Sequence, residues 1–181
     1  MKRLLLALAL VAFAAAPALA DPKSDIIAAA LKFTTATSFH MTAAAMGRTL
    51  DADYAPPDKM HLTAGPLEVI KIGQTTWFNS GGTWRQFAMP GMDQLTGVFT
   101  SAIGEVRNAS PDDLVVTDLG MKAPAGIRLH AYTVTNKAGT SPATLYLDGN
   151  GWLTRIEMGQ GNAVTFSKFN APLDIEPPPQ S

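Results

Sequence analysis

Cysteine does not occur anywhere in this sequence of 181 residues. Its absence excludes disulfide bonds, thiol catalysis and cysteine-based metal sites, so the folded chain must be held together by its packed core alone. For the same reason we expect no lipid-modified cysteine after the N-terminal segment.

Positive charge is scarce as well. Of the 14 basic residues, Lys2 and Arg3 lie at the start, which leaves 12 basic against 15 acidic residues and a net charge of −3 for the rest of the chain. A mildly acidic chain without basic clusters argues against nucleic acid and against an anionic membrane surface as main partner.

Long apolar runs are missing except at the N-terminus. Lys2 and Arg3 precede the apolar run Leu4–Ala16, which is followed by the breaker Pro17 and the small-x-small sequence Ala18–Ala20. This order is typical of a secretory signal peptide with cleavage after Ala20. The run is shorter than the about 20 residues that a membrane-spanning helix needs. The alternative, a buried N-terminal helix, leaves the charges, the breaker and the cleavage site without an explanation.

We therefore predict a signal peptide at residues 1–20, a single domain at 21–175 and a loose proline-rich tail at 176–181. A domain of this length is large enough to bury a core. The mature chain is expected in the periplasm, without an integral membrane segment.

Patterns that indicate catalysis or metal binding are lacking too. The histidines are His40, His61 and His130, and no two of them have metal-ligand spacing. Asp112 and Asp113 directly follow a proline, which indicates a turn rather than a catalytic acid pair. No G-x-S-x-G motif is present. We predict no enzyme activity, no metal and no cofactor, although a cleft that placed His61 or His130 beside an acid would favour an enzyme.

Two helices are predicted in the mature chain. Asp21 and Pro22 suit the cap and first position of a helix that ends near Thr34. A central helix is predicted from apolar residues at helical spacing, namely Met92, Leu95, Val98, Phe99 and Ile103.

Short strands with glycine- or proline-rich turns occupy the rest. They are predicted at Phe39–Ala45, Asp51–Tyr54, Lys59–Thr63, Leu67–Ile72, Thr75–Asn79, Thr83–Phe87, Leu114–Leu119, Ile127–Asn136, Ala143–Leu147, Trp152–Met158 and Val164–Phe169. Asp148–Gly151 is a hairpin turn signal rather than a calcium loop. The fold class is α+β: a strongly curved antiparallel sheet, or half-open β-barrel, with both helices on its concave face.

The strands carry more apolar residues than a one-sided sheet needs. In Leu67–Ile72, Leu67 and Val69 alternate with Ile70 and Ile72, so both faces are apolar. Helices and loops that bury both faces would explain this pattern. A pocket for an apolar ligand between sheet and helices would explain it equally.

Three segments carry a resemblance to a known family. They are the proline corner Tyr54–Met60, the stretch Glu68–Phe78 with an apolar strand, glycine and Trp-Phe, and the last strand running into Ala171–Pro178. In these segments and in its overall layout the chain resembles the outer-membrane lipoprotein carriers and the related bacterial lipoproteins that bind acylated lipids. The carrier has an arginine before the corner proline, where this chain has Ala55, so the lid contact of the carrier does not carry over.

The resemblance implies a half-open barrel whose helices cover a cavity for acyl chains. We expect a non-catalytic periplasmic protein that binds a lipid, an acylated or another hydrophobic ligand, with lipid or lipoprotein transport across the periplasm as one role. The alternative is an interaction or sensor module with a filled core and an envelope protein partner. Candidate cavity residues are Met41, Leu62, Ile70, Ile72, Trp77, Leu95, Phe99, Trp152 and Ile156.

Overall fold

A computed structural model describes residues 21–45, 48–86, 111–136, 142–159 and 161–179. Helix α1 covers Pro22–Thr34. The strands are β1 (Phe39–Ala45), β2 (Arg48–Ala55), β3 (Lys59–Ala64), β4 (Leu67–Ile72), β5 (Thr75–Ser80), β6 (Thr83–Gln86), β7 (Leu114–Lys122), β8 (Leu129–Asn136), β9 (Ala143–Leu147), β10 (Leu153–Met158) and β11 (Asn162–Ser167). Residues 1–20 and the predicted central helix lie outside the described residues.

Helix α1 begins and ends as its sequence predicts. The Asp21 side chain accepts a hydrogen bond from the Lys23 N–H at 3.4 Å, and Pro22 occupies the first turn. At the other end, the hydroxyl of Thr35 donates to the Lys32 carbonyl at 2.7 Å, which satisfies one of the last carbonyls. The apolar stripe formed by Ile26, Ala29, Ala30 and Phe33 is buried.

All strands join one antiparallel sheet. Its order is β6-β5-β4-β3-β2-β1-β11-β10-β9-β8-β7, so two meanders meet where the first strand pairs with the last. The sheet is not closed, because β6 and β7 are its two edges. The predicted α+β class and antiparallel sheet are confirmed, and the open sheet with a packed helix is consistent with the predicted curved sheet.

The two faces of the sheet differ in chemistry. The inner face packs against α1 and contains a row of residues in register across six strands: Phe78, Val69, Leu62, Ala52, Met41 and Phe166. On the outer face of the first meander, polar pairs predominate, such as His40 with Asp53 and His61 with Glu68. Because side chains alternate along a strand, register decides which residues face the helix.

The segment after β11 folds back on the start of the sheet. Asn170 accepts a hydrogen bond from the Thr37 N–H at 2.8 Å and donates its own N–H to the Ser38 carbonyl at 2.9 Å. Further on, Ile175 and Pro178 are buried. The loose tail at 176–181 stays a prediction, since of its described residues Glu176, Pro177 and Pro179 are exposed and Pro178 is buried.

Candidate binding face and its rim

An aromatic cluster fills the inner face beneath the C-terminal half of α1. The ring of Phe33 lies 4.9 Å from the rings of both Phe39 and Phe166, and Phe39 lies 5.3 Å from Tyr54. Tilted and edge-to-face pairs of this kind add to the stability that apolar burial provides. This cluster fixes the helix against the junction of the two meanders.

Four predicted cavity residues belong to this face. Met41 is only 2% exposed and Leu62 is buried, and both belong to the main core. Ile156 and Trp152 are half-buried and pack against the same core. The Trp152 ring also stacks on Phe169 at 4.4 Å.

The other predicted cavity residues are elsewhere. Val69 pairs with Leu62 and with Phe78 on the inner face, so its neighbour Ile70 points outward, and Ile72 shares that orientation. Trp77 pairs with Ile70 and lies on the outer face too. Leu95 and Phe99 lie outside the described residues. The structure therefore does not bring the predicted set together on one face.

A pocket of about 420 Å³ with both polar and apolar lining residues opens beside α1 at the β7–β8 end of the inner face. Its lining includes Asp25 and Lys32 of the helix, Arg128 and His130, and the turn between β9 and β10. Neither helix residue was among the predicted site residues. Their spacing in the sequence could have indicated that they lie together. Asp25 and Lys32 are seven residues apart, about two helical turns, so both lie on one side of the helix.

Hydrogen bonds organise the wall of this pocket. The Tyr132 hydroxyl donates to Asp25 Oδ2 at 2.8 Å, and the Tyr132 ring stacks on His130 with 4.6 Å between centroids. Burial, and then the Asp25 carboxylate, raises the pKa of the Tyr132 phenol above its ordinary value. The phenol therefore stays a proton donor and ties α1 to β8.

His130 in the same wall pairs with a carboxylate that does not itself line the pocket. His130 Nε2 is 2.6 Å from Asp118 Oδ1. The pKa of the Asp118 carboxyl is held below its ordinary value, mainly by the Gly120 N–H that donates to it and then by His130. His130 therefore lies beside an acid, but that acid is not among the residues that line the pocket. The residues that line the pocket, however, include no serine, threonine or cysteine that the pair would activate as a nucleophile.

Lys32 anchors the other end of the helix. Its ammonium donates to the Asn150 carbonyl and lies 4.6 Å above the Trp152 ring. The helix is thus held at two polar points, Asp25 and Lys32, on either side of its apolar contacts.

The outer face holds a second pocket, of about 510 Å³, beside Arg155 and Glu157. Glu157 accepts hydrogen bonds from the Tyr146 hydroxyl at 2.7 Å and from Arg155 Nε at 2.8 Å. Among the described residues, no three histidine, aspartate or glutamate side chains are grouped so that they could hold a metal ion. In the same part of the chain no helix is long and apolar enough to cross a membrane.

Comparison with solved structures places this architecture. The crystal structure of LprF from Mycobacterium bovis matches with a TM-score of 0.63 and 18% sequence identity, over 87% of this chain and 96% of LprF. The chain has the fold of LprF.

Other comparisons contribute less. A DUF1329 family protein from Desulfovibrio piger matches over 85% of this chain and 95% of its own, with 12% identity and a TM-score of 0.27. A score this low does not show a common fold. No family model and no curated protein sequence matches the chain.

Proposed function

We propose that this protein is exported to the periplasm and there binds a lipid or another hydrophobic ligand against the inner face of its sheet, without catalysis. The observation that carries the proposal is the LprF-like fold, in which a continuous apolar face lies under a helix. The resemblance of the sequence to carriers of acylated lipids supports the same ligand class.

The chemistry of binding is burial of apolar surface. Each Å² of acyl chain removed from water contributes about 25 cal/mol, and the half-buried Ile156 and Trp152 extend the apolar face beyond its filled centre. The charged side chains in the pocket at the rim suit the head group of such a ligand. There Asp25, Lys32 and Arg128 offer both acceptors and donors of hydrogen bonds while they stay in contact with water.

The second candidate is a module that binds an envelope protein and holds no ligand. The observation that favours it is the aromatic cluster around Phe33, which fills the inner face with the protein's own side chains. The two candidates differ in one measurable property, since only the first takes up an acyl chain.

The test is lipid uptake by a matched pair of variants. Purified protein is mixed with a fluorescent fatty acid and also analysed by native mass spectrometry. Ile156→Glu places a charge on the inner face, and we expect it to abolish uptake because burying an unpaired carboxylate costs several kcal/mol. Ile72→Glu makes the same change on the outer face, and we expect it to leave uptake unchanged.

Folding is checked for both variants by circular dichroism and thermal melting, with Ile156→Ala as a milder inner-face change. A wild-type protein that carries no lipid and takes up no fatty acid would contradict the proposal and leave the protein-binding candidate. Equal loss in both folded variants would contradict the assignment of the inner face.

A further inference from the structure

The two edges of the sheet are built differently. β6 is four residues long, and its Thr83, Arg85 and Gln86 are exposed and polar. β7 is nine residues long, and only β8 pairs with it among the described residues. Proteins commonly protect edge strands by making them short or charged, because an unpaired edge binds other strands. β6 has this protection, whereas β7 largely lacks it.

Exposed apolar side chains gather at β7. The described chain exposes six large apolar side chains, and four of them lie in or just after this strand: Val115 (47%), Leu119 (38%), Met121 (51%) and Ile127 (63%). Single exposed apolar residues are ordinary, but a concentration at an edge with no second partner among the described residues indicates an interaction surface.

Charge at the ends of β7 indicates what binds there. Asp112 and Asp113 are exposed in the 3₁₀ turn Pro111–Asp113 just before the strand, and Lys122 is exposed at its last position. An antiparallel copy of the same strand runs in the opposite direction, so the acidic start of each strand meets the basic end of the other. Opposite charges facing each other across strands stabilise the pairing.

We propose that β7 pairs with β7 of a second copy of this chain, antiparallel and about a two-fold axis at Thr117. This register sets Val115 beside Leu119 of the second copy, and Asp112 and Asp113 beside Lys122 of the second copy. The contact is isologous, so each pairing occurs twice and the assembly closes as a dimer. The two sheets then continue into each other through main-chain hydrogen bonds.

The expected dimer is weak. A β-bulge between Asp118 and Gly120 interrupts the ladder of β7 with β8 and increases the local twist. The contact is thus confined to one strand with few apolar side chains. Interfaces well below about 1,200 Å² belong to transient associations, and we expect dissociation at micromolar rather than nanomolar concentration.

The experiment is sedimentation equilibrium of the purified protein across roughly 1 μM to 1 mM, a range that brackets weak association. Lys122→Glu, and separately Asp112→Lys with Asp113→Lys, place like charges opposite each other. We expect each to weaken dimerisation by about tenfold or more. Mixing the two variant proteins restores opposite charges at both ends, so we expect the mixture to form heterodimers as readily as the wild-type protein forms dimers.

Arg85→Glu on the other edge strand is the matched control, and we expect it to leave the association unchanged. The proposal is overturned by a wild-type protein that stays monomeric throughout the range. It is overturned equally if the β7 variants associate like wild type, or if their mixture associates no better than each alone. These outcomes do not depend on lipid uptake, so the proposed function is tested separately.

Discussion

Glu157 is held by two neighbours on the outer face of the sheet. The Tyr146 hydroxyl and then Arg155 lower the pKa of its carboxyl below the ordinary value, because both donate hydrogen bonds to the ionised form. The same carboxylate, after burial, raises the pKa of the Tyr146 phenol. Because the pKa of this carboxyl is lower in the folded state, its charge stabilises the protein at pH values above the ordinary pKa. This stabilisation is lost as the pH falls through the folded-state pKa.

We predict that Glu157→Gln lowers the free energy of unfolding at pH 7 by about 1 kcal/mol, since both partners are partly in water and solvent screens the ion pair. The difference from wild type should shrink as the pH falls below about 4, where the wild-type carboxyl also loses its charge. Urea unfolding at several pH values measures it. Glu176→Gln in the exposed tail is the control, and a gap that stays constant down to pH 2 would contradict the pKa assignment.

For single residues, the sequence predicted membership of a strand better than the face of the sheet on which the side chain lies. Val69 and Ile70 are both β-branched neighbours in one strand and are both buried, yet they lie on opposite faces. Nothing in their side chains distinguishes the two, because the choice follows from the register with β3 and β5. For this reason, the predicted cavity residues that the structure describes are divided between the inner and outer faces of the sheet.

The β9–β10 hairpin shows what local sequence determines. Asp148 Oδ1 accepts hydrogen bonds from the Asn150 N–H at 2.9 Å and the Trp152 N–H at 2.8 Å, and Gly151 adopts a φ of 76°. The hairpin predicted from Asp148–Gly151 is thus confirmed, with the carboxylate engaged by the backbone of its own turn.

We predict that Asp148→Ala destabilises the protein by about 1–2 kcal/mol, because two backbone donors lose their acceptor. Asp148→Asn keeps a side-chain oxygen and should retain most of the stability. Thermal melting of both variants beside Asp174→Ala, an exposed aspartate in the C-terminal segment, measures the difference. Equal loss in the Ala and Asn variants would mean that charge rather than the turn geometry matters.

The strands were also predicted from local sequence patterns. All the predicted strands are present, but several ends differ: β2 begins at Arg48 rather than Asp51, β7 ends at Lys122 rather than Leu119, and β11 covers Asn162–Ser167 rather than Val164–Phe169. The strand predicted from Ile127 begins instead at Leu129, because Pro124–Gly126 form a 3₁₀ turn in which Gly126 has a φ of 81°. The buried Pro178 was not foreseen, since composition describes a segment's flexibility in isolation and not the surface it packs on.

The pairing of β1 with β11 organises the whole molecule. It joins the two meanders at the centre of the sheet, where Met41 pairs with Phe166 under the helix. This contact links residues far apart in the chain, and no local pattern encodes it. The pocket beside α1 was missed for the same reason, because its residues come from the helix, from β7 and β8 and from a distant turn.

We predict that amide hydrogen exchange is slowest in β1, β2 and β11 and fastest in β6. The central strands have partners on both sides and lie under the aromatic cluster, whereas β6 is a short edge strand. Exchange measured by mass spectrometry on peptides from each strand tests the order. Protection in β6 equal to that in β1 would show that the sheet opens only as a unit.

The placement of β11 next to β1 also governs when the fold can be completed. A chain made from its N-terminus forms the hairpins of the first meander early, but one side of β1 stays without a partner until residues 162–167 exist. Residues up to the end of β11 must therefore be synthesised before β1 and β11 can pair at the centre of the sheet. A truncation before Asn162 would leave two separate sheets, each with two unpaired edge strands. Such fragments should aggregate or be degraded, because unpaired edges bind other strands.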